Sequence, residues 1–216
     1  MTKVKTLEEI VEKFHDGQVM MIGGFMSAGT PEIFIDAILD KGVKNLTVIA
    51  NDTGFVDSGI GRLIVNKRIR KIIATHVGTN KETGRQISAG EIEYELIPQG
   101  TLAERIRSAG AGLGGFLTPT GVGTIIEEGK QKITVDGKEY LLELPIRAEI
   151  ALLHARLADT AGNLVYKVAS RNFNPLMAMA ADLVIASAEE IVEVGGIDPD
   201  AVVTPGTLVD MLIKGR

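Results

Sequence analysis

The glycine-rich turn at residues 23–29 has the residue types best suited to a chemical role. It follows an apolar run and leads into a proline at which a helix is predicted to begin, within MMIGGFMSAGTPEIFIDAIL (20–39). Its residues are Gly23, Gly24, Phe25, Met26, Ser27, Ala28 and Gly29. Backbone N–H groups converge before a helix, and the helix dipole favours negative charge there. The turn therefore predicts either a loop that holds an anionic ligand against glycine backbone or a plain tight turn.

Two well-known phosphate-binding motifs do not fit this turn. No Gly-Lys-Ser/Thr sequence follows it, so it is not a P-loop. Its glycine spacing also differs from G-x-G-x-x-G, which weakens a dinucleotide interpretation.

Polar residues follow the next predicted strands. Asn51 and Asp52 come directly after one strand, with Asp57 and Ser58 close behind, and Gln99 follows another. Because the carboxyl ends of parallel strands line the ligand crevice of an open sheet, these side chains are candidates for substrate contact. The Gln99 amide is also a candidate oxyanion donor. The alternatives are Asx-turns that cap a loop and an ordinary surface glutamine.

The sequence contains no complete catalytic set. It has no cysteine, which excludes thiolate nucleophiles, disulfides and zinc–thiolate sites. None of His15, His76 and His154 has metal-ligand spacing, so we expect no metal. No nucleophile stands beside a base. The pattern is typical of a binding cradle without its catalytic group.

The elements that would position these residues alternate between strands and helices. The predicted strands cover residues 18–22, 45–50, 70–76, 94–98, 149–155, 182–188 and 189–194. Helices are predicted after the Thr6/Glu9 and Thr101/Glu104 capping boxes, after the proline of the turn, at Asn174-Pro175 and at 207–214. The β-α-β order implies parallel pairing. We therefore predict an α/β fold, a three-layer domain around a mostly parallel sheet.

One segment departs from this alternation. Residues 110–124 are rich in glycine and predict no regular element, whereas residues 132–144 predict an antiparallel hairpin around Asp136-Gly137. We expect one domain over residues 1–216, with a small β-hairpin and glycine-rich insertion at about 110–145.

Charge and hydropathy limit the partners. The net charge is −5, so no basic field would attract nucleic acid or an anionic membrane. No apolar run reaches the roughly 18 residues of a spanning helix. The N-terminal segment is charged rather than shaped like a signal peptide, so we expect a cytoplasmic protein.

Several motifs resemble one known family over essentially the whole chain. The segment DGQVMMIGGFMSAGTP (16–31) matches at every position the signature of the small (α) subunit of 3-oxoacid CoA-transferases, the family I CoA-transferases. Residues 98–124, 161–175 and 202–206 are similar to that family too. Within it, NDTGFVDSGIG (51–61) most resembles the acetate or butyrate–acetoacetate type.

The resemblance implies a fold, a reaction and a partner. The fold would be Rossmann-like, shared with ribose-5-phosphate isomerases. CoA would move from a short-chain acyl-CoA to a free carboxylate such as acetate, butyrate or acetoacetate, with CoA as a substrate and no permanently bound cofactor. The nucleophilic glutamate would lie on a β subunit, in an assembly expected to be α2β2. By resemblance, residues Gly23 to Gly29 contact CoA and Gln99 donates to the thioester oxyanion, while Asn51 and Asp52 belong to a substrate loop.

Two other classes of protein remain as alternatives. One is a non-catalytic ligand-sensing domain on the same fold, which should carry a DNA-binding segment or a basic face. The other is an isomerase or deaminase complete in one chain, which needs its own general base. The sequence shows neither feature.

Overall fold

The fold is built on an eight-stranded sheet, and a computed structural model describes residues 2–215. The helices are α1 (Leu7–Val11), α2 (Glu32–Lys41), α3 (Ile60–Val65), α4 (Lys81–Ser88), α5 (Gln99–Gly110) and α6 (Asn174–Ala180). The strands are β1 (Val19–Ile22), β2 (Leu46–Ile49), β3 (Ile69–Ala74), β4 (Glu93–Leu96), β5 (Phe116–Thr118), β6 (Lys132–Val135), β7 (Lys138–Glu143), β8 (Ala148–Asp159), β9 (Leu164–Val165), β10 (Ala181–Val192) and β11 (Met211–Lys214).

The strand order of the large sheet is β11-β10-β8-β1-β2-β3-β4, and every neighbouring pair in it is parallel. Alternate residues of a strand point to opposite faces, which β1 shows clearly. Met20 and Ile22 join the core under α1, α2 and α3, whereas Met21 joins a second core under α5 and α6. The sheet therefore lies between two helical layers, which confirms the predicted three-layer α/β fold.

The strands differ greatly in length, and this shapes the edge at which they end. Strands β1 and β2 have four residues each, whereas β8 and β10 have twelve. The register pairs Ile22 with Leu152, so residues 153–159 continue past the end of β1. At 3.3 Å per residue they project roughly 23 Å, and β9 pairs antiparallel with their far end. The projecting strands form a wall beside the short ones.

A separate three-stranded antiparallel sheet, in the order β5-β7-β6, occupies residues 116–143. Its hairpin turns at Asp136 and Gly137, whose φ angles of 50° and 75° are the positive values that a type I′ turn requires. The predicted hairpin is confirmed. The prediction of no regular element in 110–124 is wrong, because β5 is short and becomes regular only through its pairing with β7.

Two predicted helix starts have different outcomes. At Thr6 the capping box is confirmed, since Glu9 N donates to Thr6 Oγ1 at 3.3 Å and Thr6 N donates to Glu9 Oε2 at 2.9 Å. The box at Thr101 is wrong, because α5 already begins at Gln99 and Thr101 lies buried within it. The fixed φ of Pro98 starts this helix earlier than the local motif suggests.

The C-terminal third of the chain differs from the prediction at two places. The two strands expected at 182–188 and 189–194 are one strand, β10, because the continuing pairs with β8 reach Val192. The helix expected at 207–214 is wrong. After a short 3-10 turn, β11 pairs in parallel with β10, and Leu212 also bonds to the N-terminal Lys3 and Lys5. Sheet pairing here outweighs the helical pattern of the local sequence.

Candidate functional site

The turn at residues 23–29, here named the first loop, connects β1 to α2. Phe25 and Ala28 exchange two backbone hydrogen bonds of 2.9 Å each. Between them Met26 (φ 48°) and Ser27 (φ 68°) both have positive φ, as in a type I′ turn. Asn-Gly usually fills these positions, and other residues there cost about 1–3 kcal/mol each. Strain of this kind is concentrated at ligand sites, which makes the first loop the leading candidate.

The glycines of the first loop are needed for close packing within the protein. A Cβ atom on Gly23 would overlap the side-chain amide of Asn174. One on Gly24, whose φ is 119°, would overlap Thr30 Oγ1, and one on Gly29 would lie 2.6 Å from Ser170 Cα. Glycine at these positions was expected because it lets a ligand approach the backbone. The structure gives a second reason, since neighbouring atoms of the protein leave no room for a side chain.

Residues 53–59, here named the second loop, connect β2 to α3 and repeat the first loop. Gly54-Phe55 and Ser58-Gly59 match the Gly24-Phe25 and Ala28-Gly29 pairs, thirty residues later. Phe55 and Ser58 form the corresponding backbone bridge, with a Ser58 N to Phe55 O distance of 3.4 Å. The sequence analysis missed this repeat. The shared G-F-x-x-[A/S]-G pattern between a strand and a helix is the signal that would have found it.

Asp52 joins the two loops. Its Oδ2 accepts from Met26 N at 2.9 Å and its Oδ1 accepts from Gly54 N at 2.7 Å. The carboxylate is buried beneath the loops. A second link is made by Ser27 and Ser58, whose hydroxyl oxygens are 2.9 Å apart. The structure therefore brings Asp52 together with the first loop through its backbone.

Glu32, near the start of α2, supports the second loop from another side. Its Oε1 accepts from Gly59 N at 2.7 Å, and its Oε2 lies 3.4 Å from the Arg62 guanidinium. The same Arg62 makes a 2.7 Å ion pair with Asp36. The cation closest in sequence to the second loop is therefore already paired with carboxylates.

Asn51 lies at the end of β2, where it is almost fully buried. Its backbone oxygen accepts from Thr75 N at 2.8 Å, and its Oδ1 accepts from the Thr75 hydroxyl at 3.3 Å. Its Nδ2 has no hydrogen-bond partner among residues 2–215. Because a buried amide donor normally finds a partner, this group is free to serve a ligand or water oxygen.

Apolar side chains cover the tips of both loops. Phe25 and Met26 on the first loop are 37% and 41% exposed, and Phe55 and Val56 on the second are 38% and 48% exposed. Since neighbouring strands carry the two loops, these side chains give this edge of the sheet an exposed apolar surface. Such a surface suits the uncharged part of a ligand rather than a second carboxylate.

Gln99 lies at the same edge but away from the first loop. It is the exposed first residue of α5 and follows β4, three strands along from β1. Three strand spacings of about 4.8 Å give a lateral offset of roughly 14 Å between β1 and β4. The structure thus groups Asn51 and Asp52 with the two loops, and leaves Gln99 at the far end of the edge.

Asn174 and His154 support the first loop, and the sequence analysis assigned them no such role. Asn174 Nδ2 donates to Gly29 O at 3.2 Å and to Ser170 O at 2.7 Å, while its Oδ1 accepts from His154 N at 3.3 Å. His154 Nδ1 lies 2.9 Å from Ser187 Oγ. Burial lowers the pKa of the His154 imidazole, although Glu189 opposes this. A neutral His154 therefore lines a polar cavity of about 210 Å³ next to the first loop.

Residues 2–215 contain neither a cluster of metal ligands nor a helix suited to a membrane. No three histidine or carboxylate side chains lie close enough together to hold a metal ion. No helix in the same range is both long and apolar enough to cross a membrane.

Comparison with known proteins agrees with this fold. The family model described as Coenzyme A transferase matches residues 4–215. The chain is 57% identical over its full length to the acetate CoA-transferase subunit alpha of Escherichia coli, covering 98% of that protein. It is 48% identical to the acetoacetyl-CoA:acetate/butyrate CoA transferase alpha subunit of Clostridium acetobutylicum, covering 99% of this chain and 98% of the other. The chain belongs to the Coenzyme A transferase family, as the sequence motifs predicted.

Solved structures support the fold independently. Glutaconate coenzyme A-transferase of Acidaminococcus fermentans superposes with a TM-score of 0.85 at 20% identity, over 99% of this chain and 75% of the other. An acyl-CoA transferase of Escherichia coli gives a TM-score of 0.84 at 22% identity, over 99% of this chain. This chain spans only 47% of that longer transferase.

Proposed function

We propose that this chain is the α subunit of an enzyme that moves CoA between a short-chain acyl-CoA and a free carboxylic acid, using acetate or butyrate with acetoacetate or acetoacetyl-CoA. The observation that carries the proposal is the first loop, a strained turn held rigidly at the edge of the sheet in a chain of this family. The names of the two similar α subunits support the choice of substrates.

The reacting nucleophile in this proposal is a glutamate of the β subunit. Its carboxylate attacks the thioester carbonyl and the CoA thiolate leaves; the thiolate then attacks the resulting anhydride, giving an enzyme–CoA thioester and the free acid. The acceptor acid reverses these steps. The absence of cysteine and the description of relatives as subunit alpha support a divided site, in an assembly that we expect to be α2β2.

The site residues take separate roles along the edge. The first loop, Gly23 to Gly29, contacts CoA, and the unpartnered Nδ2 of Asn51 donates to the substrate. Asp52 positions the backbone of both loops from below. Gln99 donates to the oxyanion as the thioester carbonyl is attacked.

The length of CoA fits this division. The pantetheine arm has about as many backbone bonds as four extended residues, roughly 14 Å. The lateral offset between β1 and β4, which lead into the first loop and Gln99, is also roughly 14 Å. A thioester at Gln99 would therefore place the far end of the arm at the first loop, with the apolar tips of both loops along its length.

The remaining properties follow from the same proposal. CoA enters as a substrate rather than as a permanently bound cofactor, and residues 1–216 act as one α-subunit domain with an insertion at about 110–145. Acting on small soluble acids, the enzyme works in the cytoplasm, without nucleic acid or membrane as a partner.

Assays with and without the β subunit test the proposal. The isolated chain should fold yet transfer no CoA, and added β subunit should restore transfer in proportion to the complex formed. After treatment with acyl-CoA and borohydride, mass spectrometry should find the reduced glutamate on the β subunit. A reduced glutamate in this chain, or turnover by this chain alone, would disprove the divided site.

A substrate panel tests the acid. The apolar tips and the already paired Arg62 offer nothing to a second carboxylate, so succinate should be a poor acceptor next to acetate and butyrate. A preference for succinate would overturn this part of the proposal.

A further inference from the structure

Residues 167–172, here named the cationic turn, carry two positive charges that no residue of the described chain neutralises. Lys167 and Arg171 are both exposed, and neither has a carboxylate within ion-pair distance among residues 2–215. The chain as a whole has a net charge of −5. The cationic turn is therefore a locally positive segment of an acidic protein.

The cationic turn packs directly on the first loop. A Cβ on Gly29 would lie within 2.7 Å of both Cβ and the carbonyl oxygen of Ser170, so the two backbones are in contact. Asn174 bonds to the carbonyl oxygens of Gly29 and Ser170 together. The position of one segment is thus fixed by the other.

The backbone of the cationic turn is held in an unusual conformation. Val168 has a φ of 43° although it is β-branched, and its side chain is 87% exposed. The turn is closed by Ser170, whose hydroxyl accepts from Lys167 N at 3.0 Å and donates to Lys167 O at 2.5 Å. Strain that is kept at an exposed position points to a ligand rather than to core packing.

The two loops lack the charge that CoA needs. CoA ends in a diphosphate and a 3′-phosphate, which are recognised by arginine and lysine. Neither loop contains a lysine or arginine, and the adjoining Arg62 is paired with Asp36 and Glu32. The phosphates of a CoA lying along the loops must find cations elsewhere.

We propose that Lys167 and Arg171 bind the phosphate groups of CoA. The order along the edge supports this, because β8 and β9, which precede the cationic turn in the chain, lie on the side of β1 away from β4. A CoA with its thioester at Gln99 and its arm across the loops brings its phosphates to this turn. The inference rests on the proposed placement of CoA on the first loop.

The test compares two substrates in the complex with the β subunit. Acetoacetyl-CoA carries the phosphates, and acetoacetyl-pantetheine lacks them. For Lys167→Met/Arg171→Met, KM for acetoacetyl-CoA should rise about 10- to 100-fold, since two charge-assisted contacts are lost, with kcat little changed. The kinetics with acetoacetyl-pantetheine should equal those of the wild type. Added salt should weaken acetoacetyl-CoA binding less in the variant than in the wild type.

A matched control removes two exposed lysines from the edge of the sheet at which β1 and β2 begin. Lys13→Met/Lys44→Met makes the same change in net charge and should leave both substrates unaffected. Acetoacetyl-dephospho-CoA, which lacks only the 3′-phosphate, then locates the contact made by Lys167 and Arg171. If Lys167→Met/Arg171→Met still raises KM for this substrate, the contact is to the diphosphate; if KM no longer changes, the contact is to the 3′-phosphate.

The outcomes separate this inference from the proposed function. Equal effects on acetoacetyl-CoA and acetoacetyl-pantetheine, or no effect on either, overturn the phosphate contact while CoA transfer by the wild type still stands. By contrast, a wild-type complex that does not transfer CoA would overturn the proposed function itself.

Discussion

The first and second loops share a sequence pattern but differ in conformation. In the first loop both central residues, Met26 and Ser27, have positive φ, and both bridging hydrogen bonds are 2.9 Å long. In the second loop Val56 and Asp57 have ordinary negative φ, and the Ser58 N to Phe55 O bond is 3.4 Å long.

The difference shows which loop the fold constrains most. The first loop is packed between Asn174, Thr30 and Ser170, and it retains two strained residues. The second loop has relaxed φ angles and is held through Asp52 and Glu32. We infer that the first loop is shaped for its ligand and that the second supports it. Both would then act in binding, and Gln99 in the chemical step.

The largest effect on activity should come from replacing Gln99, the residue assigned to the chemical step rather than to binding. Gln99→Ala should lower kcat by about 10²–10³, the usual cost of one oxyanion donor, with a much smaller change in KM. Steady-state kinetics of the complex with the β subunit measure this. Gln131→Ala, at an exposed glutamine of the small sheet, is the control and should match the wild type. A Gln99→Ala enzyme within a few-fold of wild type would leave the chemical step without its donor.

Equivalent glycine substitutions test the two loops directly. Gly24→Ala forces a Cβ onto Thr30 at a φ of 119°, so CoA affinity should fall about 100-fold, as expected for strain of about 3 kcal/mol. Gly54→Ala keeps a φ of 61° and meets Ser58 O only at 3.1 Å, so the loss should be about 10-fold or less. Calorimetry on folded complexes gives both values. Equal losses would mean that the two loops are equivalent.

Removing the shared carboxylate should give an intermediate effect. In Asp52→Asn the side-chain NH2 group faces one of the two backbone N–H groups, of Met26 or Gly54, that the carboxylate accepts from. Because that N–H group loses its acceptor, the free energy of unfolding should fall by about 1–3 kcal/mol and kcat/KM by about 10-fold. Glu32→Gln disturbs only the second loop and should change kcat/KM less. Denaturant titration and kinetics report the two quantities. The supporting role of the second loop would be disproved if Glu32→Gln were the more damaging change.

The smallest effect concerns the hydroxyl contact between the loops. Ser27→Ala and Ser58→Ala should each weaken the structure slightly, and the double variant should reveal a coupling of about 0.5–1 kcal/mol. A double-mutant cycle in the free energy of unfolding measures it. Strictly additive effects would show that the two loops are held independently.

Sequence reasoning found the first loop because its signals are local. An apolar strand, paired glycines and a proline before a helix can be read within twenty residues, and the hairpin at Asp136-Gly137 is equally local. The strain at Met26 and Ser27 could not be read in this way, because their residue types do not favour positive φ and neighbouring segments impose it. The role of Asn174 depends on a contact across 145 positions of the chain.

The wrong predictions about the fold also arise from contacts between distant parts of the chain. The final residues 211–214 have a helical pattern on their own and become β11 only because β10 offers a free edge. Gln99 and the first loop were both correctly placed at strand ends, but their separation depends on the strand order, which the sequence analysis did not derive.

The long pairing of β8 with β10 has a consequence for how the molecule opens. Their register joins ten residue pairs, and the buried part of β10 lies between β8 and β11, so the amides there should be among the slowest of the chain to exchange with deuterium. The tips of the two loops are exposed and lie outside this ladder, so their amides should exchange sooner than those of the wall. The wall therefore gives the tightly packed first loop a neighbour that keeps its pairing through every turnover.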